Sequence, residues 1–162
     1  MPCAHPPALL RIVRAPLPAE AREAAVAVRG PEDVAGVVVP LLRDEPSEVM
    51  LVVLLTAKHR VVGVSVVGRG GIDHVPCEPR EVFKTAILAN AAAVILAHNH
   101  PSGDPEPSGA DLDVTQRIED AGRLLGIPLL DHLIVGDGRF VSMHDRGHLT
   151  DRSTKGGEAA SA

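Results

Sequence analysis

The feature that most constrains this fold is a change of texture between residues 91 and 111. Ala91 to Ala97 is apolar and His98-Asn99-His100 follows. Pro101, Gly103, Pro105 and Pro107 then punctuate the chain before Ser108-Gly109-Ala110-Asp111. A short apolar run bounded by turn residues reads as a buried strand, and Ser-x-x-acid reads as a helix start. Strand, tight loop and helix in direct succession demand an α/β arrangement in which the helix start lies back against the strand end. Residues i and i+2 of a strand face the same way, so His98 and His100 present both rings to one side and Asn99 faces the other.

With 162 residues and 45% hydrophobic content, the chain has the material for one core. That core must rest on Val, Leu, Ile and Ala, because the only aromatic residues are Phe83 and Phe140. Sixteen basic residues against twenty-one acidic give a net charge of -5, which supplies no overall field for a phosphate backbone. Stacking platforms for bases are missing as well, so nucleic-acid binding is disfavoured. Cys3 and Cys77 belong to no Cys-x-x-Cys pair and read as reduced thiols. Pro6, Pro7, Arg11 and Arg14 interrupt any signal-like apolar stretch, and no segment reaches membrane-spanning length. The expectation is a soluble cytoplasmic protein with no membrane partner.

Residues 1–30, rich in Pro, Ala and Arg, read as a weakly ordered arm, and residues 150–162 as a disordered polar tail. Pro31-Glu32-Asp33 opens a helix that Pro40 is expected to bend or end. Glu48 to Leu55 and Val61 to Val67 read as a hairpin, with Gly68 to Gly71 as a loop and Gly68 to Asp73 as a candidate flap. A helix is expected over 79–92, with Val82, Phe83, Ala86, Ile87 and Ala89 as its apolar residues. The buried strand Ala93 to Ala97 follows. A third helix spans 108–125 with Val114, Ile118, Ala121 and Leu125 on one face, and Gly126 stops it. Strands at 127–135 and 139–143 flank the turn Gly136-Asp137-Gly138. The interleaving predicts a mixed sheet covered by helices.

Two imidazoles and a carboxylate are the ligand set of an open catalytic zinc centre, where zinc lowers the pKa of water to roughly 7 and polarises a carbonyl. His98 and His100 are the candidate imidazoles and Asp111 the candidate carboxylate. Ser108 and Asp111 also fit plain helix capping, so their spacing alone serves two readings. Glu48, the acid that opens an apolar segment, is either a solvated strand-end residue or the general base. The second role requires its strand to pair beside Ala93 to His98.

Glu48, His98-x-His100, seven residues, Ser108, two residues and Asp111 together resemble the JAMM motif of the MPN/JAB metallopeptidases. Pro79-Arg80-Glu81-Val82-Phe83-Lys84, Ala97-His98-Asn99-His100-Pro101-Ser102-Gly103 and Leu130-Asp131-His132-Leu133-Ile134-Val135-Gly136 resemble its bacterial RadC branch. The similarity covers residues 31–149, so the reading is a JAB domain without the helix-hairpin-helix segment usual before it. The resemblance implies an α/β JAB/MPN fold, a mixed β-sheet flanked by helices and akin to cytidine deaminases. It implies Zn2+ held by His98, His100 and Asp111, with Glu48 as general base and acid. Ser108 would donate to the developing oxyanion, and its removal would slow turnover while sparing the metal. One departure lies at Leu54-Leu55-Thr56, where the family tends to carry an acid before the turn.

The leading expectation is a zinc-dependent hydrolase of peptide or isopeptide bonds acting on an unidentified peptide or protein. Alternatives are a DNA-repair-associated RadC-like protein and a metal-binding scaffold without catalysis. A zinc deaminase needs His-x-Glu and a later Pro-Cys-x-x-Cys, which this chain does not offer. Asp131 and His132 read either as partners orienting a ligand imidazole or as a buried polar pair. Arg80 reads as a helix-start or substrate residue. His5, His59, His74, His144 and His148 read as isolated loop or surface residues.

Overall fold

The computed structural model describes residues 26–70 and 77–149. Residues 1–25 of the arm, the 150–162 tail and the 71–73 part of the candidate flap lie outside the described residues, as do Cys3, His5 and His74.

Helix α1, Pro31–Leu42, starts as its sequence dictates, with Pro31 in the first turn and Glu32 and Asp33 at the positive end of the dipole. It does not stop at Pro40. Proline lacks the N–H that would reach back to Gly36 and its ring crowds that carbonyl, yet the helix runs on for two more residues to Leu42. Val34, Ala35, Val38 and Leu42 form its buried stripe.

Strands β1, Val49–Leu55, and β2, Val61–Arg69, form the expected hairpin, antiparallel. Its turn is closed by Thr56 N–H donating to Arg60 O and by His59 in the left-handed region at φ 52°. Gly68, expected in a loop, instead pairs with Met50. Leu51 pairs with Val66 and Met50 with Gly68, so Val67 is the extra residue of a bulge, which lets the strand run on to Arg69.

Helix α2, Pro79–Ala89, ends earlier than expected because Asn90 turns left-handed at φ 53°, a conformation asparagine tolerates. Val82, Phe83 and Ala86 are its buried residues, whereas Ile87 is exposed. Strand β3, Ala93–Asn99, is buried along its whole length, as is β1. Continuous apolar runs of this kind suit strands covered on both faces. Helix α3, Gly109–Leu125, buries Asp111, Thr115, Ile118, Glu119 and Gly122. Leu125, expected inside, is exposed, and the inward stripe is rotated toward the line that begins at Asp111. Strands β4, Leu129–Gly136, and β5, Arg139–Ser142, complete the sheet around a tight turn with Asp137 and Gly138 at positive φ.

The sheet order is β2-β1-β3-β4-β5, with β3 and β4 parallel and all other neighbours antiparallel. This is the mixed α/β sheet the sequence predicts. Strand alternation divides the core in two. Leu51, Val53, Leu55, Ala93, Ile95, Ala97, Leu133 and Val135 pack with α1. Met50, Val52, Leu54, Val94, Leu96 and Ile134 pack with Phe83 and Ala86 of α2 and Ile118 of α3. Cys77 sits in this second cluster with its thiol pushed up to about 11 by burial, an inert apolar filler. Among the described residues, no helix is long and apolar enough to cross a membrane.

Candidate metal centre

The end of β3 where the chain leaves the parallel pair carries the first two site residues. His98 shares the α3 side of the sheet with Leu96 and Val94, by the two-residue alternation of a strand. His98 is fully buried, and His100 follows one residue past the strand, its N–H held by Val135 O at 2.8 Å. The loop then doubles back, with Gly103 N–H donating to His100 O at 3.0 Å. His100 Nδ1 lies 2.8 Å from Asp104 O. A carbonyl can only accept, so Nδ1 carries a proton, and in the neutral ring Nε2 keeps its lone pair.

The helix start supplies the third residue, and capping and convergence on the histidines coexist there. Ser108 N–H and Oγ–H donate to Asp111 Oδ2 at 2.7 and 2.6 Å, while Asp111 N–H donates to Ser108 Oγ at 3.2 Å. This capping box aims the Asp111 carboxylate back across the loop. Its Oδ1 lies 2.9 Å from His98 Nε2 and its Oδ2 3.4 Å from His100 Nε2, and the two imidazole nitrogens are 3.0 Å apart. A tetrahedral ion with bonds near 2.0–2.1 Å sets its donors about 3.3 Å apart. The three donors of His98, His100 and Asp111 therefore fit a small cation, and they form a group able to hold a metal ion.

The electrostatics agree with a site for positive charge. Burial by itself pushes the Asp111 carboxyl up, but hydrogen bonds with His100, His98 and Ser108 outweigh it and hold the group well below the usual carboxylate range. His100 is raised, chiefly by Asp111, with further contributions from Asp104 and the Glu48 charge.

Glu48 arrives from across the sheet. Met50 pairs with His98 and Val49 N–H reaches the Asn99 side chain, and the antiparallel register continued past that pair sets Glu48 toward His100, on the same face as Met50 and His98. The pairing its catalytic reading requires is present, and Glu48 is buried. Its backbone carbonyl accepts from Gly70 N–H at 2.9 Å.

Three further residues serve the site, two of them with no role assigned from sequence. Asn99, on the opposite face as its parity requires, accepts from Val49 N–H at 2.8 Å and donates to the carbonyls of Ser47 at 3.0 Å and Glu45 at 3.3 Å. It clamps the segment that carries Glu48. A polar residue at the end of a mostly apolar strand, between two histidines, was its only signal. His132, from β4, lies 2.9 Å from His98 Nδ1, and Thr115, from α3, lies 2.7 Å from His132 Nδ1. Burial lowers His132 well below its ordinary value. Asp131 parts company with His132. It accepts from His132 N–H, His144 N–H and Ser142 Oγ–H and so braces the end of β5. Arg80 is an exposed residue beside Glu81, and His59, His144 and His148 are exposed.

The return loop depends on two glycines. Gly103 adopts φ +83°, and a Cβ on Gly136 would stand 2.5 Å from Gly103 O and 2.8 Å from Pro105 N. Gly136→Ala is therefore expected to push the loop off β4, costing about 1–3 kcal/mol of stability. Metal affinity should fall with it, since Asp104 O loses its register with His100. Urea unfolding and competition with a chromophoric chelator measure the two effects, and an unchanged variant in both would contradict the close approach.

Comparison with known proteins places this geometry in context. The RadC-like JAB domain family matches residues 28–148. A UPF0758 protein of Moorella thermoacetica is 49% identical over 122 residues, covering 75% of this chain and 53% of the relative. One from Desulfitobacterium hafniense is 46% identical over 122 residues, covering 75% and 54%. Another from Methanosarcina acetivorans is 44% identical over 119 residues, covering 74% and 52%. The chain thus spans about half the length of the curated relatives it matches.

Proposed function

Because the chain belongs to the RadC-like JAB domain family, we propose that it is a zinc-dependent hydrolase of peptide or isopeptide bonds, built on residues 31–149 and acting in the cytoplasm. The observation that carries this reading is the convergence of two imidazoles and one carboxylate, His98, His100 and Asp111, within bonding reach of a single ion. Two nitrogens and one oxygen, with one position left for solvent or substrate, match catalytic zinc better than the all-oxygen preference of magnesium or calcium. Zinc held there supplies Lewis acidity, lowering the pKa of water to about 7 and polarising a carbonyl.

The protein's own groups do the rest. Glu48, buried on the same face as His98 and His100, accepts a proton from the attacking water and delivers it to the departing nitrogen. Water thereby adds across the C–N bond, with oxygen on carbon and hydrogen on nitrogen. Ser108 Oγ–H, which rests on Asp111 Oδ2, turns toward the oxyanion as charge builds on the substrate oxygen. In the resting state the same hydroxyl orients a ligand. Loss of Ser108 is thus expected to weaken metal binding as well as slow turnover, a revision of the expectation that the metal would be spared.

The partner this reading calls for is a peptide or protein substrate. The test is zinc-loaded protein offered a diverse library of peptides and isopeptides. Cleavage of a subset, abolished by a chelator and restored by added zinc, is the expected result. Stoichiometric zinc with no member cleaved would overturn hydrolysis and favour a metal-binding scaffold.

A further inference from the structure

The direction of each hydrogen bond behind His98 can be read from one fixed end. Thr115 Oγ1 lies 2.5 Å from the backbone carbonyl of Asp111, which can only accept, so the single hydroxyl proton points there. Thr115 Oγ1 also lies 2.7 Å from His132 Nδ1. Its proton is already committed, so this second contact must be donated by the ring, and His132 carries its proton on Nδ1. His132 is buried on all sides, where a neutral ring with one proton is favoured. Its Nε2 is then an acceptor, 2.9 Å from His98 Nδ1. His98 must therefore donate from Nδ1, and the lone pair left on its Nε2 faces Asp111 Oδ1 and His100 Nε2.

We propose that Thr115 and His132 are positioning residues that lock His98 into the Nδ1–H tautomer, so that Nε2 is its ligating atom. The chain of bonds starts at the backbone of one ligand, Asp111, and ends at the ring of another, His98. It ties α3, β4 and β3 into one closed frame and makes the first helical turn and the strand end move together. No carboxylate takes part in this chain. The Nε2 of His132, its ring oriented by a threonine hydroxyl that a carbonyl fixes, does the work that an acidic partner usually does for a ligand histidine. His100 needs no such relay, because Asp104 O acts on it directly. The proposal rests on the metal-centre reading given above.

Thr115→Val keeps the shape and removes the hydroxyl, while Thr115→Ser keeps the hydroxyl. In competition with a chromophoric chelator, Thr115→Val is expected to lose about 10–100-fold in zinc affinity, with Thr115→Ser close to wild type. Long-range 1H–15N NMR of the ring nitrogens in zinc-loaded wild type should find His98 and His132 both protonated on Nδ1. Zinc affinity of folded Thr115→Val within threefold of wild type would overturn the relay, as would a His132 protonated on Nε2 in the wild type. Wild-type protein that takes up no zinc would instead remove the metal centre itself, and the relay with it. Should Thr115→Val fail to fold, the wild-type NMR result decides.

Discussion

Glu48→Gln is expected to lower kcat/KM by about 10²–10⁴-fold while zinc content stays at the wild-type level. The amide matches the carboxylate in size, so the buried position at the start of β1 remains filled and the register of Met50 with His98 is undisturbed. The change removes the ability to take up and return a proton at neutral pH. It also removes a negative charge facing His100. Turnover of the best library substrate and metal content by atomic emission separate the two roles that an acid at this place can have. Lost activity with retained zinc identifies the base. Loss of both makes Glu48 a ligand, and activity within tenfold of wild type puts the base elsewhere.

Asn99→Leu is expected to cost about 2–5 kcal/mol of folding stability, a large part of the roughly 5–15 kcal/mol typical of a domain. Three backbone groups lose their partner at once. The buried Val49 N–H is stranded inside the protein, while the carbonyls of Ser47 and Glu45, in half-buried residues, are nearer to solvent. The second consequence is catalytic, because these groups bracket Glu48. Turnover should drop beyond what the unfolded fraction explains, with His98, His100 and Asp111 still binding zinc. Urea denaturation at matched zinc occupancy measures the first effect and kcat the second. A stability loss under 1 kcal/mol would mean that the 45–49 segment is held by other contacts.

The site was legible in the sequence to the extent that its parts are local. Two-residue alternation put His98 and His100 on one side, and Ser-x-x-Asp announced a helix start, because both patterns act over a few residues. What that helix start faced was open, since the same four residues satisfy capping whether or not a ligand pair lies opposite. The structure makes both readings true at once, with Asp111 Oδ2 receiving the Ser108 hydrogen bonds and Oδ1 facing His98. Misplaced details have equally physical causes. Leu125 and Ile87 fit an apolar face on paper, but the inward stripe of each helix is set by the sheet it lands on. Gly68 looked like a loop residue until a bulge carried β2 past it. Pro40 fits a bend or an end of its helix, yet the helix runs on to Leu42.

The contacts between parts distant in sequence could be seen only in three dimensions, even where the residues themselves were already candidates. Glu48 stands fifty residues before His98, and nothing between them reveals that β1 and β3 are neighbours with Met50 on His98. His132 was ambiguous because its partners, His98 and Thr115, come from another strand and a helix. By itself the sequence determined the elements, the candidate ligand types and the strand-loop-helix unit that presents them, since periodicity, capping and turn chemistry operate within a few residues. Tertiary structure decided which carboxylate meets which imidazole and which nitrogen of His98 is left bare. Register and hydrogen-bond direction belong to pairs of segments, and a pair exists only once the chain has folded.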